Sequence, residues 1–285
     1  MSQQLAASSK TLSSLRMEHH KPAMWKFSWL CLVGLFLLPS AVGATEIIAH
    51  RGASGYEPEN TLRAVQRAWE MGADATEIDV YLTKDDQIVV LHDSKLDRTT
   101  SGVGPVKDFT LAELQELKIR WKDELLEDET IPSLEQVLAI IPEGKRIFIE
   151  IKTGPEIVPA LKRILDACTL KDEQLVVITF NESTLKESKK VLPDLKHYYL
   201  SDGKKETIDE VIAKTKAANA DGINLSTKFP ITAELVQQAK EAGYDTYVWT
   251  LRDKDSELVP QLVEMGVVGL TTDFPDLCRD WLPTE

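Results

Sequence analysis

The strongest constraint on the fold is an alternation of short apolar segments with longer helical patterns. Each of eight short segments is mainly apolar and has the length of a buried strand. Such alternation is typical of a parallel sheet whose strands are joined by helices. Eight units of this kind predict a TIM (β/α)8 barrel. The predicted strands are Glu46–His50, Thr76–Leu82, Arg146–Ile151, Leu175–Thr179, His197–Leu200, Gly222–Leu225, Thr246–Thr250 and Val268–Thr271.

Helical segments are expected between these strands. The clearest are Thr61–Met71, Ser133–Ile141, Glu156–Ala167, Ala233–Ala242 and Ser256–Met265.

One further apolar run, Ile88–His92, follows the second predicted strand after only five residues. A parallel crossover needs a dozen or more residues, so this run is predicted to turn back as an antiparallel hairpin. The hairpin would bring His92 to the barrel mouth. Residues 93–132 then contain no clear barrel strand. They are predicted to form a small insertion over the same face, with a short helix at Leu111–Leu117 followed by an acidic loop.

The first 44 residues are predicted to be a signal peptide rather than part of the barrel. The uncharged run Phe27–Leu38 follows Lys21 and Lys26 and precedes a small-residue segment that ends at Ala44. The run is short for a membrane span, so we expect no stable span after cleavage and an exported, periplasmic or secreted protein. An uncleaved anchor is the alternative. A compact signal peptide also begins at Met24, which makes a later start, at Met24 or Met17, an alternative to the first residue.

The charge excludes some partners. The chain of 285 residues has a net charge of −13, and residues 45–285, the predicted barrel domain, carry −16 once the basic leader is removed. Such a surface repels nucleic-acid phosphates, so we expect no nucleic-acid partner. A phosphate ester would need a bound cation or local Arg and Lys side chains. The sequence gives no indication of the oligomeric state.

Ionisable residues follow the predicted strands at the end where a TIM barrel has its active site. The first strand ends in His50 and Arg51, which places a titratable group beside a fixed cation. The Arg fork donates two parallel hydrogen bonds to phosphate oxygens. The hairpin adds His92 at the same rim, and two histidines that flank a phosphodiester suit a general acid and a general base.

Carboxylates at the next two strand ends indicate a cation site. Glu77 and Asp79 lie on one face of the second strand because side chains alternate along a strand. Two carboxylates so close need a cation or hydrogen-bond donors. Glu150 on the third strand completes an oxygen-rich set that suits a hard cation such as Mg²⁺ or Ca²⁺. Lys152 shares the face of Glu150 and suits either a phosphate or an ion pair with that carboxylate.

Taken together, these motifs resemble the glycerophosphodiester phosphodiesterase family over all of residues 45–285. The combined pattern is specific, although each piece is short. Its pieces, in chain order, are His50-Arg51-Gly52, Pro58-Glu59-Asn60-Thr61, Glu77-Ile78-Asp79, Leu91-His92-Asp93, Glu150-Ile151-Lys152, Val248-Trp249-Thr250 and Thr272-Asp273-Phe274-Pro275.

The resemblance implies a hydrolase that converts a glycerophosphodiester and water into sn-glycerol 3-phosphate and an alcohol. It implies one divalent cation, Ca²⁺ or Mg²⁺, bound by Glu77, Asp79 and Glu150. It also implies that His50 and His92 are the acid and the base. In the family mechanism the glycerol 2-hydroxyl attacks the phosphorus and forms a cyclic phosphate, while one histidine deprotonates this nucleophile and the other protonates the leaving alcohol.

The remaining implied roles concern substrate binding and support. Arg51 and Lys152 would bind the phosphate, and Trp249 and Phe180 would wall the substrate pocket. Glu59 would lie beside the site and support it.

Asn60 has two predicted roles. The resemblance places it beside the site, and its position also suits the N-cap of the helix that begins at Thr61.

Two other functions remain open at the sequence level. A lysophospholipase D or a cyclising phospholipase would use the same residues with a longer apolar groove. The few contiguous apolar residues of the insertion favour a small water-soluble substrate instead. A phosphodiester-binding protein or inactive homologue is the other class, and the intact set of histidines and carboxylates argues against it.

Overall fold

The computed structural model describes residues 45–283. The predicted signal peptide, residues 1–44, lies outside the described residues. Within the described residues, no helix is both long and apolar enough to cross a membrane. The strands are β1 Glu46–His50, β2 Ala75–Leu82, β3 Ile88–Val90, β4 Lys118–Trp121, β5 Glu124–Thr130, β6 Arg146–Ile151, β7 Leu175–Thr179, β8 Lys196–Ser201, β9 Gly222–Ser226, β10 Asp245–Leu251 and β11 Gly269–Thr272.

Eight of these strands form a closed parallel barrel, which confirms the predicted TIM fold. The order around the barrel is β1, β2, β6, β7, β8, β9, β10 and β11, and β11 pairs again with β1. Each predicted strand lies within one residue of an observed barrel strand at both ends. The apolar runs located the strands well because the barrel buries both faces of each one.

Helices connect the barrel strands on the outside, as predicted. The five predicted helices are present, and each begins or ends up to three residues inside its predicted bounds, because the terminal residues of a helix often fall outside its regular hydrogen bonding. The helices are α1 Leu62–Glu70, α2 Leu111–Gln115, α3 Leu134–Leu138, α4 Val158–Ala167, α5 Glu182–Val191, α6 Ile208–Ala217, α7 Ala233–Glu241, α8 Leu258–Glu264 and α9 Pro275–Asp280.

Side chains on alternate strand positions fill the amino-terminal part of the barrel. Phe148, Tyr198 and Tyr247 are fully buried, and the ring centroids of the two tyrosines lie 4.8 Å apart. Beside them, Arg146 Nη1 donates to Glu46 Oε2 over 2.7 Å. Because these side chains fill the amino-terminal part of the barrel, its open end is the one at the carboxyl ends of the strands.

The predicted hairpin is present. β3 pairs antiparallel with the end of β2, with Val90 opposite Val80. The backbone N–H of Leu91 then donates to the carbonyl oxygen of Asp79 over 3.0 Å, which brings His92 to the barrel rim.

The predicted acidic loop of the insertion is wrong. This segment forms the antiparallel hairpin β4–β5, whose tight turn holds Lys122 and Asp123 at positive φ. Most β5 side chains are exposed, so the strand lacks the alternation of polar and apolar residues that marks a half-buried strand. The insertion has a small core of its own that includes Leu96, Leu114 and Ile119.

His197 on β8 makes the stability of the barrel sensitive to acid. Its side chain is fully buried; Nδ1 lies 3.0 Å from the Leu195 carbonyl oxygen and Nε2 lies 2.9 Å from Ser188 Oγ. These contacts fit a neutral ring that donates from Nδ1 and accepts at Nε2. Burial lowers the pKa of His197 to about 4. The unfolded chain, with a pKa of about 6.5, therefore takes up this proton first as the pH falls.

We expect His197 to remove about 3 kcal/mol of stability as the pH falls from about 6.5 to 4. In His197→Gln, this part of the pH-dependent loss of stability should disappear. The measurement is the free energy of unfolding by denaturant at pH 7 and pH 4.5 for both proteins. Equal losses in the two proteins would contradict the assignment.

Candidate active site

Three carboxylates converge at the open end of the barrel. Glu77 and Asp79 lie on β2, and Glu150 lies opposite Asp79 on the neighbouring strand β6. One oxygen from each of the three lies within 4.8 Å of the other two. The structure thus brings together the three residues that the sequence predicted as cation ligands.

The electrostatics of the cluster favour a bound cation. Burial, reinforced by the charges of Asp79 and Glu150, raises the pKa of Glu77 well above its usual value. Burial and the charge of Asp79 also raise the pKa of Glu150, to about 7. For Asp79, burial acts in the same direction, but Arg51 and Lys152 outweigh it, so its pKa is lowered. Burial and the mutual repulsion of the carboxylates therefore disfavour the charged forms of Glu77 and Glu150 unless a cation compensates them.

Unpartnered oxygens provide a separate test of whether these residues fit a metal. Among the described residues, Glu77 Oε1 is buried without a hydrogen bond, and so is Asp79 Oδ1, although the Lys152 ammonium lies 3.3 Å from it. Buried carboxylate oxygens normally have a partner. Oxygens of this kind are the ligands that Mg²⁺ and Ca²⁺ prefer, so the donor set fits a hard divalent cation.

The two predicted phosphate-binding cations border the carboxylates. Arg51 Nε lies 3.2 Å from Asp79 Oδ2, and Lys152 Nζ lies 2.7 Å from Glu150 Oε1. The backbone N–H of Arg51 donates to Glu77 Oε2 over 3.0 Å. The predicted Glu150–Lys152 ion pair is thus present, and both cations remain at the rim of the same cavity.

His50 has a carboxylate partner from the far end of the chain. Its Nδ1 lies 2.6 Å from Asp273 Oδ1, and Ser54 Oγ donates to the same oxygen over 3.1 Å. The contact forms because β1 pairs with β11, so that the residue after β11 lies beside the end of β1. With Nδ1 held by the carboxylate, Nε2 of His50 is left for a ligand.

His92 has a similar arrangement. Its Nδ1 lies 2.6 Å from Asp93 Oδ1, and Arg98 Nε donates to the other oxygen of Asp93 over 2.7 Å. Burial, helped by the positive charges of Arg51 and Lys152, lowers the pKa of His92. The neutral imidazole that results at neutral pH can accept a proton.

Glu59, the predicted supporting residue, contacts two arginines. It accepts a hydrogen bond from Arg51 Nη1 over 2.9 Å and two from Arg98. It therefore holds the guanidinium of Arg51 and does not belong to the carboxylate cluster.

The predicted N-cap role of Asn60 is wrong. Thr61 is the N-cap of α1, and its side chain accepts from the backbone N–H of Ala64. Asn60 has a φ of +60°, which turns its amide towards β2. There its Nδ2 donates to Asp79 Oδ2 over 2.8 Å, and its Oδ1 accepts from the backbone N–H of Asp79 over 3.1 Å. Asn60 thus orients a predicted cation ligand.

Phe180 and Trp249, the two predicted pocket residues, line one wall of the cavity. Their ring centroids lie 5.6 Å apart at an interplanar angle of 85°. Trp249 Nε1 donates to the Asn224 carbonyl oxygen over 3.2 Å, which fixes the indole. The cavity has a volume of about 160 Å³. Its lining residues are His50, Arg51, Glu77, His92, Glu150, Lys152, Ile178, Phe180, Leu200, Asn224, Trp249 and Thr271.

Three supporting residues were not assigned a role from the sequence. Asp273 and Asp93 hold the two histidines, and Arg98 contacts Asp93 and Glu59. A signal was present for Asp273, because it directly follows the last barrel strand, where side chains reach the active-site end. Arg98 lies in the insertion, which has no barrel register to indicate its position.

The chain matches one protein family along most of its length. The profile of the "Glycerophosphoryl diester phosphodiesterase family" matches residues 50–277. A glycerophosphodiester phosphodiesterase of Caldanaerobacter subterraneus is 37% identical over 238 residues, which cover 81% of this chain and 95% of that protein. A glycerophosphodiester phosphodiesterase of Bacillus subtilis is 31% identical over 250 residues, covering 81% of this chain and 84% of that protein.

Solved structures show the same similarity. One is an Oleispira antarctica phosphodiesterase in complex with the product sn-glycerol-3-phosphate. It matches with a TM-score of 0.76 and 28% identity, over 83% of this chain and 96% of that one. A glycerophosphodiester phosphodiesterase of Thermotoga maritima matches with a TM-score of 0.69 and 27% identity, over 84% of this chain and 98% of that one.

Proposed function

Because the chain belongs to the glycerophosphoryl diester phosphodiesterase family and is a glycerophosphodiester phosphodiesterase, we propose that its activity depends on one divalent cation and on His50 and His92 as acid and base. The observation that carries the proposal is the buried carboxylate cluster with unpartnered oxygens, which borders the same cavity as two histidines that each have an aspartate partner.

Glu77, Asp79 and Glu150 would hold the cation, either Ca²⁺ or Mg²⁺. When bound, it supplies positive charge to the phosphate oxygens and stabilises the charge that develops on them. Arg51 would add a guanidinium to the same phosphate, and Lys152 an ammonium. Both already lie at the cavity rim in contact with the carboxylates. Arg51 and Lys152 would then contact both the carboxylates and the phosphate of the substrate.

The two histidines would move the protons of the reaction. One takes the proton of the glycerol 2-hydroxyl as its oxygen attacks the phosphorus. The other gives a proton to the alcohol oxygen as the bond from phosphorus to that oxygen breaks. Water then attacks the phosphorus of the cyclic phosphate as the bond from phosphorus to the 2-oxygen breaks. The histidines exchange roles, so that one takes a proton from the water and the other gives a proton to the 2-oxygen. The ring opens to sn-glycerol 3-phosphate. Each Nδ1 is held by an aspartate, so each Nε2 would face the substrate.

The test of this route is the product formed from glycerophosphocholine and from its analogue without the glycerol 2-hydroxyl, both followed by ³¹P NMR. We expect sn-glycerol 3-phosphate and choline from the first and no turnover of the second. Equal turnover of the analogue would contradict attack by the 2-hydroxyl. Hydrolysis of lysophosphatidylcholine in preference to glycerophosphocholine would instead favour the lysophospholipase D alternative.

The role of Asp273 as the partner of His50 can be tested by substitution. Asp273→Asn keeps the size of the side chain but removes the negative charge that holds the Nδ1–H tautomer of His50. We expect kcat to fall by about 10²-fold or more, because a wrong tautomer leaves Nε2 unable to accept a proton. Ser54→Ala is the control. It removes only the hydroxyl bond to Asp273 and should change kcat much less. An unchanged kcat for Asp273→Asn would contradict the role of His50.

Export is part of the same proposal. The apolar run Phe27–Leu38 and the small residues up to Ala44 support a cleaved signal peptide. Sequencing the amino terminus of the protein recovered from a bacterial host should give a start at Ala44 or Thr45. Recovery of the intact leader in the membrane fraction would favour the anchor.

A further inference from the structure

Arg98 makes an unusual set of contacts for a residue of the insertion. Its guanidinium donates to both oxygens of Glu59, with Nη1 and Nη2 each 2.8 Å away. It also donates to both oxygens of Asp93, from Nε over 2.7 Å and from Nη2 over 3.2 Å. All three guanidinium nitrogens are therefore used, and they bind two acids from different parts of the chain.

Each of these acids holds a different group of the active site. Glu59 Oε1 accepts from Arg51 Nη1 over 2.9 Å, and Asp93 Oδ1 lies 2.6 Å from His92 Nδ1. A continuous chain of charge-assisted hydrogen bonds thus runs from Arg51 to His92, with Arg98 at its centre. The chain joins the loop after β1 to the residues after β3.

Two features make an arginine necessary at the centre. Glu59 and Asp93 would repel each other without a cation between them. A planar fork can bind two carboxylates at once in fixed directions, whereas a lysine is a single point charge on a flexible stem. The Arg98 hydrogen bond, with that of His92, lowers the pKa of Asp93 to about 2, so this acid stays charged as a partner for His92.

We propose that Arg98 is a positioning residue, which fixes the imidazole of His92 relative to the guanidinium of Arg51. The proposal rests on the proposed function, in which His92 transfers a proton at a phosphate that Arg51 binds. Nearly half of the Arg98 side chain is exposed, at 48%. Exposed ion pairs contribute little to folding. Its effect should therefore be on turnover and not on stability.

The test compares Arg98→Gln and Arg98→Lys with a matched control, Arg63→Gln. Arg63 is equally exposed, at 49%, and its Nε lies 2.6 Å from Glu57 Oε2, in the same loop as Glu59. We expect both Arg98 variants to lose about 10- to 100-fold in kcat with a much smaller change in KM, because a displacement of about 1 Å can cost 10²-fold. Arg63→Gln should retain the wild-type kcat.

Chemical rescue distinguishes positioning from a general structural role. Arg98→Ala should regain activity with guanidinium chloride at about 50 mM, far below the molar concentrations that unfold proteins. The same salt should not activate Arg63→Gln. Failure of rescue together with an equal loss of kcat in the control would overturn the proposal, and so would a wild-type kcat in Arg98→Gln.

A second measurement does not depend on turnover. In wild type, the Nδ1–H proton of His92 should give a resolved downfield resonance because Asp93 accepts from it. We expect this resonance to be lost in Arg98→Gln and kept in Arg63→Gln. If wild type hydrolyses no glycerophosphodiester, the proposed function fails while this test of Arg98 still stands. An unchanged resonance in Arg98→Gln would overturn the positioning role.

Discussion

His50→Ala and His92→Ala should each lower kcat on glycerophosphocholine by about 10²- to 10⁴-fold, the usual contribution of a general acid or base. KM should change much less, because neither ring is a predicted phosphate ligand. The kcat of the double variant should be little lower than that of the less active single variant, since the two groups act in one reaction step. Steady-state kinetics at saturating cation concentration measure all three.

A substrate with a better leaving group separates the two roles. The glycerol p-nitrophenyl phosphodiester releases an alcohol that needs no protonation. The variant that lacks the acid should recover most of its activity on this substrate, and the variant that lacks the base should not. Recovery by only one variant therefore assigns the acid and the base.

His197→Gln is the control for these changes, because His197 is a buried histidine of the barrel that does not line the cavity. It should keep the wild-type kcat at pH 8. The active-site variants should keep the wild-type melting temperature within a few degrees. Wild-type turnover in His50→Ala or in His92→Ala would exclude that residue from proton transfer.

The second large effect is expected for Glu77→Gln, which should act in opposite directions on activity and on the stability of the metal-free protein. The change removes one carboxylate of the cluster but keeps an oxygen for the N–H of Arg51. We expect kcat to fall by at least about 10²-fold, since loss of even an indirect partner of a metal ligand costs 10- to 100-fold. In EDTA at pH 8, the variant should melt at a higher temperature than wild type because repulsion is relieved.

The direction of the pH dependence follows from the raised pKa values. In the metal-free protein, Glu150 keeps its proton up to about pH 7, whereas the unfolded chain releases it near 4.5. The raised pKa of Glu150 therefore stabilises the metal-free folded protein fully below pH 4.5, and this stabilisation is lost as the pH rises to about 7. Cation binding needs charged carboxylates, so its stabilisation grows over the same range.

EDTA should therefore lower the melting temperature of wild type more at pH 8 than at pH 5. A cation at about 100 times its Kd adds about 2.7 kcal/mol. For a chain of this size that corresponds to roughly 5–10 °C.

Glu46→Gln is the matched control for Glu77→Gln. Glu46 also lies inside the barrel, at its opposite end, where it pairs with Arg146. Glu46→Gln should lower the melting temperature, because the partly buried guanidinium of Arg146 loses its charged partner. EDTA should lower the melting temperature of this variant by as much as it does in wild type. If Glu77→Gln also lowered the metal-free melting temperature, the cluster would not be a site of repulsion.

The barrel and the main site residues were predictable because strand position determines both. Most of the buried strands are short, predominantly apolar segments, and the carboxyl ends of all eight strands meet at one end of the barrel. Once the strands were located, His50, Glu77, Asp79 and Glu150 had to lie at that end. Alternation along β2 then placed its two carboxylates on one face.

Features without a buried periodic pattern were not predictable. The β4–β5 hairpin has side chains that are mostly exposed, so its sequence looks like that of a loop. The role of Asn60 depends on its left-handed backbone and on the nearby Asp79. Its N-cap propensity is shared with Thr61, so propensity alone could not choose between the two residues.

Pairings between distant residues also required the structure. Asp273 lies beside His50 only because β11 closes the barrel against β1. Arg98 contacts Glu59 across 39 residues through a loop of the insertion. The hydrophobic periodicity of a sequence indicates which residues are buried, but it does not indicate which charged side chains meet at the rim of the barrel.

The most direct test of the account is an assay of the purified protein on glycerophosphocholine, first in EDTA and then with added Ca²⁺ or Mg²⁺. We expect EDTA to abolish release of glycerol 3-phosphate, one of the two cations to restore it in wild type, and the same cation to restore little in Glu77→Gln. Full turnover in EDTA, after dialysis has removed any bound metal, would contradict the proposal that Glu77, Asp79 and Glu150 hold a cation needed for hydrolysis.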